Sequence, residues 1–169
     1  MKENTKLIVL RGPSGSGKSS VALKLREQSK RKIAIIEQDY YPEVMFARRD
    51  KEDSVAARRE LLVADTLIAL KYGFDVILDG ILSVHTHRDA FEKIIDEHRT
   101  ENYMFYFDVS LEETLKRHAT RPKASQFGVD EMAKWYIQAT PANYDFEEKI
   151  PENFTLEQTV EFIKKKAGI

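Results

Sequence analysis

Leu7-Ile8-Val9-Leu10-Arg11-Gly12-Pro13-Ser14-Gly15-Ser16-Gly17-Lys18-Ser19 is the most informative stretch of this sequence. It opens with a short continuous apolar run, which reads as a buried strand. The run passes directly into a turn that fills every position of the pattern G-x-x-x-x-G-K-[ST], and Ser20–Glu27 continues as a helix. The chemistry of phosphate binding demands these residue types. Glycines let backbone N–H groups close around phosphate oxygens, and the N-terminus of the following helix adds a partial positive charge. Lys18 can reach the β and γ oxygens of a nucleoside triphosphate, and the Ser19 hydroxyl can hold Mg²⁺. Gly12, Pro13, Ser14, Gly15, Ser16, Gly17, Lys18, Ser19 and Ser20 are therefore the expected nucleotide-binding residues.

Three further apolar runs follow: Ile33-Ala34-Ile35-Ile36, Val76-Ile77-Leu78 and Tyr103-Met104-Phe105-Tyr106-Phe107. They are continuous rather than alternating, as in strands covered on both faces of a parallel sheet. A fifth strand is placed near Glu147–Ile150. Helical patterns separate the runs: Ala57, Leu61, Ala64 and Ile68 recur at helical spacing, as do Phe91, Ile94, Ile95 and His98. Ser110 with Glu113, and Thr155 with Gln158, have the spacing of capping boxes. This alternation predicts an α/β layered sheet with right-handed crossovers.

Composition bounds the rest. The 169 residues suit a single domain. The 27 basic and 28 acidic residues nearly cancel, which argues against a surface built to coat nucleic acid. The absence of cysteine excludes disulfides, thiolate zinc sites and cysteine nucleophiles. No run approaches the ~20 apolar residues of a membrane span, and Leu7–Leu10 is too short for a secretion signal. A cytoplasmic protein without a membrane partner is the expectation.

Three of the strands end in acid, where ligands of open α/β sheets lie. Ile36 leads to Glu37-Gln38-Asp39-Tyr40-Tyr41, Leu78 to Asp79-Gly80, and Phe107 to Asp108. Asp39 is the candidate base on the acceptor side. Asp79, closing Phe74-Asp75-Val76-Ile77-Leu78, has the pattern of a Mg²⁺-associated carboxylate. Asp108 reads as a solvated or capping acid. A base-reading [NT]-K-x-D tetrapeptide, usual in GTPases, does not occur.

Gly12–Ser19, Asp39-Tyr40-Tyr41, Asp79-Gly80 and Arg117–Tyr136 together resemble the small P-loop kinases, the group containing chloramphenicol phosphotransferase, zeta toxins and polynucleotide-kinase-like enzymes. The resemblance implies a three-layer P-loop NTPase fold, with a five-stranded parallel sheet, helices on both faces and a small lid at about 117–136. It also implies ATP with Mg²⁺, and transfer of the γ-phosphoryl to a hydroxyl with Asp39 as base. The wording around Asp39 also resembles the Asp-x-Phe-Tyr of uridine kinases. The segment Pro42–Tyr72 matches no one member of the group.

Arg117 and Arg121 lie one helical turn apart ahead of Pro122. In similar kinases such arginines close over the phosphates, so both are candidate catalytic residues. Arg48, Arg49, Arg58 and Arg59 fall in the acceptor region but read more readily as an exposed helix face. Arg88 follows His85-Thr86-His87, a pair lacking the third ligand a metal needs. Trp135-Tyr136 reads as helix packing or as a flank for adenine. The reading is an ATP-dependent kinase acting on a small-molecule hydroxyl. A nucleoside or polynucleotide kinase, with nucleic acid only as phosphate acceptor, is the alternative, and a nucleotide-sensing protein without an acceptor is the reading from another class. Acceptor and oligomeric state are not legible in the residues.

Overall fold

The computed structural model describes residues 4–46, 52–99, 101–119 and 128–169. Five parallel strands, β1 (Lys6–Arg11), β2 (Ile33–Glu37), β3 (Asp75–Gly80), β4 (Glu101–Asp108) and β5 (Glu147–Pro151), form one sheet in the order β2-β3-β1-β4-β5. β1 is central and buried at every position, which explains why its sequence is a continuous apolar run. The helices are α1 (Lys18–Gln28), α2 (Glu52–Lys71), α3 (Val84–Glu97), α4 (Leu111–Ala119), α5 (Val129–Gln138) and α6 (Leu156–Ala167).

Alternate residues of each strand feed two cores. Leu7, Val9, Val76, Leu78 and Met104 pack with Leu62, Leu70, Phe91 and Ile94, so α2 and α3 cover one face. Ile8, Leu10, Ile77, Phe105 and Ile150 pack with Val21, Leu25, Val160 and Ile163, so α1 and α6 cover the other. This is the P-loop NTPase fold in three layers. The capping box of α6 forms in both directions: the Gln158 N–H donates to Thr155 Oγ1 at 3.2 Å and the Thr155 N–H to Gln158 Oε1 at 2.9 Å. That of α4 forms only halfway. The Glu113 N–H donates to Ser110 Oγ at 3.3 Å, but the Ser110 N–H donates to Glu152 and the Glu113 carboxylate binds Arg117.

One charged group lies inside this framework. Arg11, at the end of β1, is fully buried. Its guanidinium donates to Glu147 Oε1 at 2.6 Å, to the Leu82 carbonyl at 3.1 and 3.2 Å, and to the Thr140 carbonyl at 2.8 Å. Glu147 Oε2 in turn accepts the Ala142 N–H at 2.6 Å. Arg11 thus ties the central strand to β5 and to the loops that follow β3 and α5. Removing one member of such a buried pair leaves the other charge uncompensated, which costs about 3–5 kcal/mol. Arg11→Met is expected to lower the melting temperature by roughly 6–20 °C, at about 2–4 °C per kcal/mol for a domain this size. The double variant Arg11→Met/Glu147→Gln should melt above the single one in the same thermal scan, because no net charge is then left buried.

Candidate functional site

The turn 12–17 leaves β1 and enters α1 with Gly12, Gly15 and Gly17 all at positive φ. At Gly12 a Cβ would sit 2.8 Å from the Phe107 carbonyl oxygen, and at Gly15 a Cβ would sit 2.8 Å from that of Thr114. Both positions therefore need glycine twice over, for backbone conformation and for close approach. The loop is wedged against the end of β4 and against α4. Lys18 is buried, and its Nζ donates to the carbonyls of Gly12 at 3.0 Å and Pro13 at 2.8 Å, and to Ser16 Oγ at 3.3 Å.

A cleft of about 720 Å³ opens at the carboxyl ends of β1, β2 and β3. Ser14, Gly15, Gly17, Lys18, Ser19 and Ser20 line one side, and Asp39 and Asp79 line it as well. Asp79 is buried, and its Oδ1 has no hydrogen-bond partner. A buried carboxylate oxygen left this way is costly unless it meets a cation or a cation's water shell, so the pair Ser19 and Asp79 fits a hydrated Mg²⁺. Asp39 is exposed and lies just ahead of a single π-type turn, Tyr41–Met45, with its carbonyl accepting the Glu43 N–H at 3.1 Å. Between them Gln38 braces the wall: its N–H donates to the Asp79 carbonyl and its Oε1 accepts the Leu82 N–H, both at 2.8 Å.

Arg117 is held away from this cleft. Its Nε donates to Glu113 Oε1 at 2.8 Å, one terminal nitrogen to the Ser16 carbonyl at 3.1 Å, and the other to the Glu152 carbonyl at 2.8 Å. It forms part of a second pocket of about 340 Å³ on the far side of the loop, with Ser16, Val21, Pro151, Phe154 and Leu156. Glu152, whose carboxyl is held below its usual range by the Ser110 N–H, anchors the same corner. Arg121 and Pro122 lie outside the described residues, as do Arg48 and Arg49.

A family model described as the AAA domain matches residues 7–139, most of the chain and every element from β1 to α5. The chain belongs to the AAA domain family. No curated protein matches it significantly. Among solved structures it is similar to the APS kinase of Mycobacterium tuberculosis in complex with AMPPNP and APS (TM-score 0.75, 17% identity, 98% of each chain covered). It is also similar to a gluconokinase from Sinorhizobium meliloti (TM-score 0.68, 17% identity, 99% and 94% covered). The tunicamycin resistance protein of Deinococcus radiodurans aligns with it at a TM-score of 0.68 and 16% identity, over 98% and 97% of the chains. At these identities the likeness establishes the shared fold.

In this AAA domain the remaining sequence candidates separate. Asp108 pairs with Lys149 at 3.0 Å on the surface, away from the cleft. The Arg59 guanidinium donates to the Thr86 carbonyl and Arg58 to that of Ser54, and neither lines the cleft. Arg88 lies over the Tyr144 ring, 5.6 Å from its centroid. Trp135 faces the cleft and Tyr136 does not. Residue patterns did not single out Glu43, Glu131, Gln138 and His118, which also line it. The i, i+4, i+7 spacing of Glu131, Trp135 and Gln138 was the available signal. Among the described residues no three His, Cys, Asp or Glu side chains converge as a metal site, and no helix is long and apolar enough to cross a membrane.

His87 is a packing residue at the start of α3, where its Nδ1 lies 2.8 Å from Thr86 Oγ1. Burial pushes its pKa down to about 4, with the Arg59 and Arg11 charges acting in the same direction. The unfolded chain, with an ordinary histidine near 6.5, binds the proton first. The stabilisation is therefore complete above pH ~6.5 and is lost as the pH falls toward 4, by about 3 kcal/mol at most. Urea denaturation at pH 7 and pH 4.5 should show a smaller acid loss for His87→Gln than for wild type.

Proposed function

We propose that this protein is a phosphotransferase that moves the γ-phosphoryl of ATP to a hydroxyl group of a small molecule. The observation that carries the reading is one cleft holding the phosphate loop, a buried carboxylate with one oxygen unpartnered and an exposed carboxylate, at three neighbouring strand ends. The kinases among the structural neighbours share this fold and support the same reading.

The loop N–H groups and Lys18 bind the phosphates, Lys18 exchanging neutral carbonyl partners for anionic oxygens. Ser19 and Asp79 are the residues to hold Mg²⁺, which when bound neutralises charge on the β and γ oxygens. Asp39 accepts the proton of the acceptor hydroxyl. The acceptor oxygen bonds to the γ-phosphorus, the bond from that phosphorus to the β,γ-bridging oxygen breaks, and ADP leaves. The second pocket takes the base, with the Arg117 guanidinium fixed as one wall against which a planar ring can stack. Arg121, the other arginine of the pair, is then the one assigned to carry charge to the γ-phosphate.

Mg·ATP at ~100 Kd should add about 2.7 kcal/mol of stability, and Lys18→Ala should abolish most of the resulting melting shift. In a coupled assay, Asp39→Asn should retain that shift and lose turnover by on the order of 10²–10⁴. Asp79→Asn should instead raise the Mg²⁺ concentration needed for activity. An identical Mg²⁺ dependence in the two variants would reject this division of roles.

The arginines are expected to differ in kind. Arg117→Ala should raise KM for ATP with a small change in kcat, because it removes binding common to ground and transition states. Arg121→Ala should lower kcat by at least ~10²-fold with ATP saturating, as for other lost transition-state donors. Steady-state kinetics on both variants checks the pair together. Wild-type turnover in Arg121→Ala would remove that residue from the transfer step.

A further inference from the structure

The apolar recurrence Ala57, Leu61, Ala64 and Ile68 is not the side of α2 that meets the sheet. α2 turns Leu62, Val63, Thr66 and Leu70 inward, all of them buried. The recurrence runs along the opposite side of the helix. Ala57 and Leu61 are half-buried there and Ala64 is exposed; Ile68 is 55% exposed and Tyr72, one turn further, 68%. A helix on the surface of a domain ordinarily carries charge on the side away from its core. An outward side kept apolar over about four turns marks a contact surface. None of these residues lines either pocket.

The spacing identifies the partner. Steps of four, three and four residues are those of a coiled-coil seam, and small and large side chains alternate along it. Such a row is complementary to itself when run antiparallel. A two-fold axis between residues 62 and 63 sets Leu61 against the partner's Ala64 and Ile68 against the partner's Ala57, so every large residue falls on an alanine. Charge fits the same register. Arg58 and Asp65 flank the seam on one side, and the two-fold brings Arg58 to the partner's Asp65 and Asp65 to the partner's Arg58. On the other flank Glu60 meets the partner's Leu67. Both charged side chains are already anchored within the protomer: Arg58 Nε donates to the Ser54 carbonyl at 3.0 Å, and Asp65 accepts the Tyr41 hydroxyl at 2.6 Å. Pairing across the seam therefore orders little that is not ordered beforehand.

We propose that the outward stripe of α2 docks a second copy of this chain, its own α2 lying antiparallel on Ala57, Leu61, Ala64 and Ile68. A seam one helix wide lies at the small end of specific interfaces, below ~1,200 Å² in total, so the dimer is weak, with a Kd on the order of 10–100 μM. The stripe is separate from both pockets, so association leaves nucleotide binding unchanged.

Sedimentation velocity on the full chain tests this between about 5 and 500 μM, a range that brackets the expected Kd. The wild-type chain should pass from monomer to dimer. Ile68→Glu should stay monomeric throughout, and at the lowest concentration it should melt within about 2 °C of wild type, as surface substitutions do. Arg58→Glu, which sets like charges against each other, should raise the Kd about 10-fold. The register is tested by cross-linking, since the chain has no cysteine of its own. Ala57→Cys and Ile68→Cys should form a disulfide dimer when mixed and oxidised. Each alone should give less than a tenth as much, because identical positions lie about 16 Å apart along the seam, too far for a disulfide. A wild-type chain that stays monomeric at the highest concentration overturns the proposal. So does a dimer that Ile68→Glu leaves intact, or equal cross-linking in the mixed and the separate samples. All these variants should keep the wild-type melting shift with Mg·ATP; a chain that dimerises this way without any such shift upholds the seam and refutes the nucleotide reading instead.

Discussion

Arg11 carries a full charge with no access to water, one residue before the phosphate loop begins. A guanidinium in that position is tolerable only if nearly every N–H finds an oxygen, and here they find Glu147 and the carbonyls of Leu82 and Thr140. The Tyr106 ring lies 5.5 Å from it and supplies its face. Four chain segments must meet around one rigid, planar ion for this to happen. Leu82 accepts a positive φ of 47° in delivering its carbonyl, and Asn143 one of 57° beside the backbone N–H groups that Glu147 collects. The chain next to Ser83 and Gln138, both of which line the cleft, is thereby tied to β1. The geometry of the cleft thus follows from satisfying this one buried charge.

That dependence separates what the residues reveal from what they conceal. The sheet was legible because its strands are buried on both faces and so read as unbroken apolar runs. The phosphate loop was legible because close approach to Phe107 and Thr114 admits only glycine. Asp79 was legible because it closes such a run. Arg11 was not, since a basic residue between a strand and a glycine-rich turn has the same local sequence whether it faces water or a carboxylate 136 residues later. The same holds for Glu131 and Gln138, whose helix contains apolar residues on more than one side. Their direction is set by the packing of Met132, near Gly15 and Thr114, which is tertiary information.

Arg117 shows how an ordinary helical pairing can conceal a longer connection. Its partner Glu113 lies one turn earlier, an ordinary helical pairing. The same side chain also holds the Ser16 carbonyl of the phosphate loop and the Glu152 carbonyl beyond β5. With three of its N–H groups engaged in three directions, it behaves as a strap across the back of the loop. Partial burial makes these bonds stronger than on an open surface.

The strap has a consequence for how the two pockets communicate. Ser16 and Gly17 are common to the wall of the smaller pocket and the backbone of the phosphate loop, while Gly17 also faces the larger cleft. A ring entering beside Arg117 presses on the residue that fixes the Ser16 carbonyl, and that carbonyl belongs to the turn whose N–H groups meet phosphate. Under the kinase reading, base and phosphate contacts therefore share one rigid element and are gained together. On the same reading the acceptor side stands apart from it: Asp39 leads into, and Glu43 belongs to, a π-type turn whose anchor is Tyr41, buried and hydrogen-bonded to Asp65 of α2 at 2.6 Å. Burial together with that carboxylate pushes the Tyr41 phenol well up, so it remains a neutral donor at every physiological pH. Under the proposed reading, nucleotide and acceptor contacts are thus mounted on different supports, which would let the acceptor side vary in sequence without disturbing the phosphate loop.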